Sequence, residues 1–151
     1  MIEIERRFLV TEAPPDLPAP TVIEQAYLST GPPSVRVRRA DGRFVLTIKT
    51  GTGLVRHEIE RDLDADEFAA LWEVGTELRI AKRRFHVEVG DGLVAEYDEF
   101  DGHLAGHRLV EVEFPDVETS RAFVAPPWFG IEVTDDPRYT NRTIARDGWP
   151  T

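Results

Sequence analysis

Seven stretches of this chain set charged side chains on one parity of an alternating pattern, and no other feature narrows the possible folds as much. The first is MIEIERRFLV, where Glu3, Glu5 and Arg7 share one parity and Ile2, Ile4 and Phe8 the other. Successive side chains of an extended strand point to opposite faces, so the charges line one face, with Glu3 and Glu5 about 7 Å apart. The pattern returns as Arg36 and Arg38, Thr47 and Lys49, Glu58 and Glu60, Lys82 and Arg84, Glu96 and Asp98, and Glu111 and Glu113. Apolar residues such as Val35, Val37, Ile48, Ile59, Val110 and Val112 fill the alternate positions.

Together these positions supply eight carboxylates and six cationic groups. A solvated sheet face normally mixes Thr, Ser, Gln and Lys and avoids like charges, because they repel along and across strands. Here four carboxylate pairs stand together, which is costly without a bound cation, and the cationic groups call for an anion. If the apolar parity packs outward under helices, the charged parity must point into a space that the sheet encloses. About eight strands suffice to close a barrel. Its fourteen interior charges could not be buried dry, since isolated buried charges cost more than folding can offset. The expected fold is therefore α+β and mainly β: an eight-stranded antiparallel closed β-barrel, a wet tunnel with a charged interior and a few helices packed outside.

The local signals agree with this. Strands are expected near 1–9, 22–29, 34–40, 43–50, 55–62, 79–89, 93–100 and 107–114. Asp41-Gly42 and Asp91-Gly92 supply the positive backbone angles of tight hairpin turns. DADEFAALWEVG reads as a helix with Asp64 as N-cap and Gly75 as its stop, and DVETSRAFVAPPWF as a short helix halted by Pro126 and Pro127. A further helical turn or two is expected around Asn141 to Arg146. With 151 residues and 41% hydrophobic composition, the chain is expected to form one domain over 1–151.

Composition limits the chemistry. There is no cysteine, which removes disulfides, thiolate metal sites and thiol nucleophiles. A net charge of −10, from 28 acidic and 18 basic residues, argues against nucleic acid as the main partner. No segment approaches a membrane span and the N-terminus has no apolar signal core, so no membrane partner and a cytoplasmic location are expected. A homodimer is compatible with these observations. Inside an acidic shell, Arg forks and Lys still bind phosphate oxygens, while carboxylates without His or Cys select hard cations such as Mg²⁺ or Mn²⁺. A small polyanionic substrate, a short polyphosphate, satisfies both sets, and metal-assisted hydrolysis of a phosphoanhydride follows.

The ordered set Glu3-x-Glu5-x-Arg7, Arg36-x-Arg38, Thr47-x-Lys49, Glu58-x-Glu60, Lys82-x-Arg84, Glu96-x-Asp98 and Glu111-x-Glu113 resembles the CYTH superfamily of triphosphate tunnel metalloenzymes. The tail EVTDDPRYTN resembles that family's C-terminal signature. The resemblance implies a tunnel that binds a triphosphate with Mg²⁺ or Mn²⁺. By analogy Glu3, Glu5, Glu111 and Glu113 would hold a metal, with Asp98 as a further candidate, and Glu58 and Glu60 would serve a second metal or position the attacking water. Arg7, Arg36, Arg38, Lys49, Lys82 and Arg84 would clamp phosphate oxygens, and Lys82 would also assist the water. The family usually ends its first motif with Lys; Arg7 keeps the charge but cannot act as a base.

Short single-domain members resemble inorganic triphosphatases, which makes tripolyphosphate the expected substrate. Nucleoside or thiamine triphosphatase and adenylyl cyclase activities are the alternatives on the same scaffold, and a non-catalytic polyphosphate- or nucleotide-binding module is the alternative of another kind. A base or thiamine would need an aromatic platform, for which Tyr27, Trp128, Tyr139 and Trp149 are candidates, each read first as a packing residue. His57, His86, His103 and His107 show no metal-ligand spacing on an expected element. The Gly51 and Gly53 loop reads as a hairpin turn. Arg142 and Arg146 read as surface charges, with a lid over the tunnel as the alternative.

Overall fold

The computed structural model describes residues 1–75 and 77–151. In chain order it contains β1 (Ile2–Val10), β2 (Thr21–Thr30), β3 (Ser34–Ala40), β4 (Arg43–Thr50), β5 (Val55–Leu63), α1 (Ala65–Val74), β6 (Arg79–Gly90), β7 (Leu93–Phe100), β8 (Arg108–Glu113), α2 (Val117–Ala122), β9 (Phe129–Glu132) and α3 (Asn141–Asp147). Strands pair in the order β5-β4-β3-β2-β6-β7-β8-β1, and β5 pairs again with β1. The result is a closed, eight-stranded antiparallel barrel. Among the described residues no helix is long and apolar enough to cross a membrane.

β1 closes the ring by dividing its length. Ile2, Glu3 and Ile4 pair with His57, Arg56 and Val55 of β5, while Glu5 to Leu9 pair with Glu113 to Leu109 of β8. Beyond β5 the free edge of β1 takes β9, at Phe8 and Val10. This ninth strand lies outside the expected set. Its four residues carry too little alternation to read as a strand, and it forms because β5 leaves that edge unpaired.

The two tight turns follow from their residues. Asp41 and Gly42 have φ of 50° and 73°, and Asp91 and Gly92 have 54° and 74°. Both central residues of each turn are thus left-handed, the geometry that matches the twist of the hairpin strands.

The apolar parity packs outward in two cores. Phe8, Phe85, Tyr97, Val110 and Val112 pack under Phe114, Trp128 and Phe129 from the segment that carries α2 and β9. Ala26 and Val37 lie beneath Phe68 of α1. The helix is set by a capping box in which the Glu67 N–H donates to the Asp64 carboxylate at 2.8 Å and the Asp64 N–H to the Glu67 carboxylate at 2.9 Å.

A third core closes one end of the barrel. On five strands the inward parity changes from polar to apolar at the same level: Leu9 follows Arg7, Tyr27 follows Gln25, Phe100 follows Asp98, and Ile80 and Leu109 precede Lys82 and Glu111. These residues pack with Ile144 and Ala145 of α3. α3 starts at Thr140, whose hydroxyl accepts the Thr143 N–H at 3.3 Å, and ends at Gly148, with φ of 81°. The tail helix is therefore a floor to the tunnel.

Candidate functional site in the barrel interior

Twelve of the thirteen residues singled out from the sequence line one interior cavity of about 320 Å³. They are Glu3, Glu5, Arg7, Arg36, Arg38, Lys49, Glu58, Glu60, Lys82, Arg84, Glu111 and Glu113. The exception is Asp98. It is 1% exposed and lies on the inward face beneath the lining side chains, where Lys82 (2.7 Å) and Arg84 (2.8 Å and 2.9 Å) hold its carboxylate oxygens. The cavity deepens from exposed Glu60 and Glu113 at the mouth, past half-buried Glu3, Glu58 and Glu96, to buried Glu5, Arg7, Glu111 and Lys82.

The cations divide into two sets. Arg7 donates through Nη2 to Glu5 at 3.1 Å and to Glu111 at 3.4 Å, and Arg56 donates to Glu5. Lys49 lies 3.0 Å from Glu3 and 3.4 Å from Glu58, and Arg84 reaches Glu96 at 2.8 Å as well as Asp98. By contrast, Arg36, Arg38 and Arg142 form no ion pair among the described residues. Arg36 donates to the Thr47 hydroxyl at 3.3 Å and Arg38 to the Gln25 amide oxygen at 2.7 Å and 2.9 Å. In the ring β3 stands opposite β8, so unneutralised Arg36 and Arg38 face the carboxylates of Glu111 and Glu113. The buried Nε–H groups of Arg7, Arg36 and Arg56 also find no acceptor among the described residues. Buried donors in a cavity wall are costly unless something accepts from them.

The carboxylate side shows the complementary deficit. Burial, then the charge and hydrogen bond of Glu111, push the Glu5 carboxyl up to about 8 against the pull of Arg7 and Lys49. Burial also raises Glu113, with Glu3, Glu96 and Glu58 adding repulsion, and raises Glu3 despite Lys49. Glu111 goes the other way: burial opposes its charge, but Arg7, the hydrogen bond with Glu5, Arg84 and Lys82 outweigh it. Among the described residues no three carboxylate or imidazole groups already stand together as metal ligands. The donor chemistry nonetheless fits a hard divalent cation, with oxygen ligands only and carboxylates whose mutual repulsion a cation would relieve.

The structure adds Arg56, Gln25, Asn141 and Arg142 to the site. Arg56 shares the parity of Glu58 and Glu60, a signal legible in the sequence. Asn141 and Arg142 come from α3 and line the cavity, so Arg142 is an interior cation and not a surface charge; Arg146 is exposed and paired with Asp147 at 2.9 Å. Of the aromatic candidates Tyr27 lines the cavity, Trp128 is in the outer core, and Tyr139 and Trp149 pack against the core under α3. His107 stacks on Trp149 at 4.4 Å, which accounts for it as a packing group.

A family model described as CYTH domain matches residues 1–139. An inorganic triphosphatase of Nitrosomonas europaea is 40% identical over 147 residues, covering 96% of this chain and 97% of its own length. One from Acetivibrio thermocellus is 33% identical over 148 residues, covering 96% and 94%. A solved inorganic triphosphatase structure superposes with a TM-score of 0.70 at 38% identity, covering 95% of this chain and 93% of that one. Coverage of nearly the whole length, on a closed barrel with this charged interior, places the chain in the CYTH domain family.

Proposed function

We propose that the protein is a divalent-metal-dependent triphosphatase that hydrolyses inorganic tripolyphosphate, residues 1–151 acting as a single tunnel domain. The observation that carries this reading is the two-sided cavity, with Arg36, Arg38 and Arg142 unneutralised on one side and mutually repelling carboxylates across from them. An anion alone would meet the carboxylates and a cation alone the guanidiniums, so the site favours both together. The relatives named inorganic triphosphatase support the same reaction.

Glu3, Glu5, Glu111 and Glu113 are the residues that would hold Mg²⁺ or Mn²⁺. Such a cation, when bound, supplies charge to a phosphoryl oxygen and an oriented water. Arg36, Arg38 and Arg142 bind the triphosphate oxygens, with Arg7, Lys49, Arg56, Lys82 and Arg84 exchanging part of their carboxylate contacts for phosphate. Asp98, held away from the cavity, serves as the anchor that aims Lys82 and Arg84. Glu58 and Glu60, near the mouth, orient water for attack on a terminal phosphorus. That attack forms one P–O bond, breaks the anhydride P–O bond and yields orthophosphate and pyrophosphate, the water's proton passing to solvent or to a cavity base. Lys82, whose proton affinity burial lowers to about 7 despite Asp98, is the candidate to assist the water, and beside the bound polyanion it does so as the charged form. The packing of Trp128, Tyr139 and Trp149 into cores favours an inorganic substrate over one with a base or thiamine to stack.

The test is phosphate release from tripolyphosphate, ATP and thiamine triphosphate, each with Mg²⁺, Mn²⁺ or EDTA, beside Glu111→Gln. Metal-dependent release fastest from tripolyphosphate and lost in the variant is expected. Tight tripolyphosphate binding in EDTA without release would overturn the enzyme reading in favour of a binding module.

A further inference from the structure

At the floor of the cavity two neutral amides connect two cations. Arg38 on β3 donates through Nε and Nη2 to the Gln25 side-chain oxygen at 2.9 Å and 2.7 Å. Gln25 Nε2 donates to Asn141 Oδ1 at 3.1 Å, and the same oxygen accepts from Lys82 Nζ at 2.8 Å. A guanidinium and an ammonium can only donate, so each end fixes the orientation of the amide beside it. With Gln25 oxygen turned to Arg38 and Asn141 oxygen turned to Lys82, the Gln25 NH₂ faces the oxygen it needs. Gln25 is 0% exposed and Asn141 8%, so solvent has little access to these bonds.

Carboxylates would hold the same two cations more strongly, and this cavity uses them freely elsewhere. We infer that Gln25 and Asn141 are positioning residues that fix Arg38 and Lys82 in place without discharging them, and so keep the floor of the cavity electropositive for the phosphate chain. The inference rests on the proposed triphosphate site and adds a role for two residues outside the charged alternation. It explains why Arg38 has an amide as acceptor, and no carboxylate among the described residues, while Arg84, one strand past Gln25, has Asp98. Lys82 has Asp98 on one side and needs a second acceptor that adds no further charge.

Asn141→Asp separates holding from discharging. Aspartate keeps an oxygen for Gln25 and one for Lys82, and a carboxylate in the first turn of α3 is favourable for the helix. The thermal midpoint of the variant should equal or exceed that of the wild type. Its affinity for a non-hydrolysable imido analogue of tripolyphosphate with Mg²⁺, read by calorimetry, should fall roughly 30-fold, the scale of one added charge at a partly screened contact distance. KM for tripolyphosphate should rise in parallel. Asn141→Leu, which removes the acceptor, should lower both the midpoint and the affinity. An Asn141→Asp protein that binds the analogue within twofold of wild type would overturn the inference and leave the triphosphatase reading intact. A wild-type protein that neither binds the analogue nor releases phosphate would overturn the parent reading and this one with it.

Discussion

Lys82 shows how burial sets chemistry at a single residue. It is enclosed by Asp98, Asn141 and the face of Phe100, whose centroid lies 5.6 Å from Nζ. Burial, against Asp98 and reinforced by Arg84 and Arg38, brings its proton affinity down to about 7. An unfolded lysine keeps its proton to about pH 10.4. Between about pH 7 and 10 the unfolded chain therefore binds more protons at this position, and Lys82 makes stability rise with pH; below about 7 both states are protonated and its contribution is constant. A polyanion beside it favours the charged form. Binding at pH 8 should thus draw a proton to Lys82, so the net proton exchange on binding should differ between the wild type and Lys82→Met by up to one proton per site. Calorimetric titration of the imido analogue in buffers of differing ionisation enthalpy measures it, and equal proton exchange in the two proteins would contradict it.

The elements divide into those that hold the barrel and those that reach the site. α1 covers Ala26 and Val37 from outside and sends nothing into the cavity. Asp64→Ala, which removes its capping box, should cost about 1 kcal/mol, a thermal shift of roughly 2–4 °C, with KM for tripolyphosphate unchanged. α3 does both jobs. Ile144 is fully buried in the floor, so Ile144→Ala should cost about 2–5 kcal/mol and, by loosening Asn141 and Arg142, should also raise KM. Steady-state kinetics beside thermal melts separate the two helices. This difference also marks what could be read from the residues alone. The strands and their inward charges were legible because a period of two over seven strands is hard to satisfy any other way. α1 was legible from Asp64 and Gly75. The floor was harder, since Leu9, Ile80, Phe100 and Leu109 keep the charged parity but change chemistry. Only closing the ring brings those four to one level. Asn141 and Gln25 are neutral and so stood outside any pattern of charge, while β9 exists only because β5 stops short on the edge of β1.

For the molecule as a whole, a net charge of −10 surrounds a cavity whose two sides lack opposite partners. Folding must hold Arg38 beside Arg36 and Arg142 beside Arg56, and must hold Glu3, Glu5 and Glu113 with raised proton affinity, without the ions that would relieve either set. The empty barrel is therefore less stable than its packing alone allows, and ligands that bind only the closed ring should restore the difference. Each ion also removes the repulsion that the other meets, so metal and triphosphate should bind with positive coupling, which linkage makes reciprocal. At a hundred times its dissociation constant a ligand adds about 2.7 kcal/mol, which for a chain of this size raises the melting midpoint by roughly 5–10 °C. Mg²⁺ with the imido analogue should reach that range, and either alone should give a shift smaller than half of it. Glu111→Gln should weaken the combined shift by removing a carboxylate from the metal side, whereas Glu24→Gln, on the outer face beside Arg39, should leave it unchanged. If the analogue in EDTA stabilised the protein as much as the pair, the carboxylates would not be a cation site, and the cavity would be an anion receptor whose acidic side is maintained for another purpose.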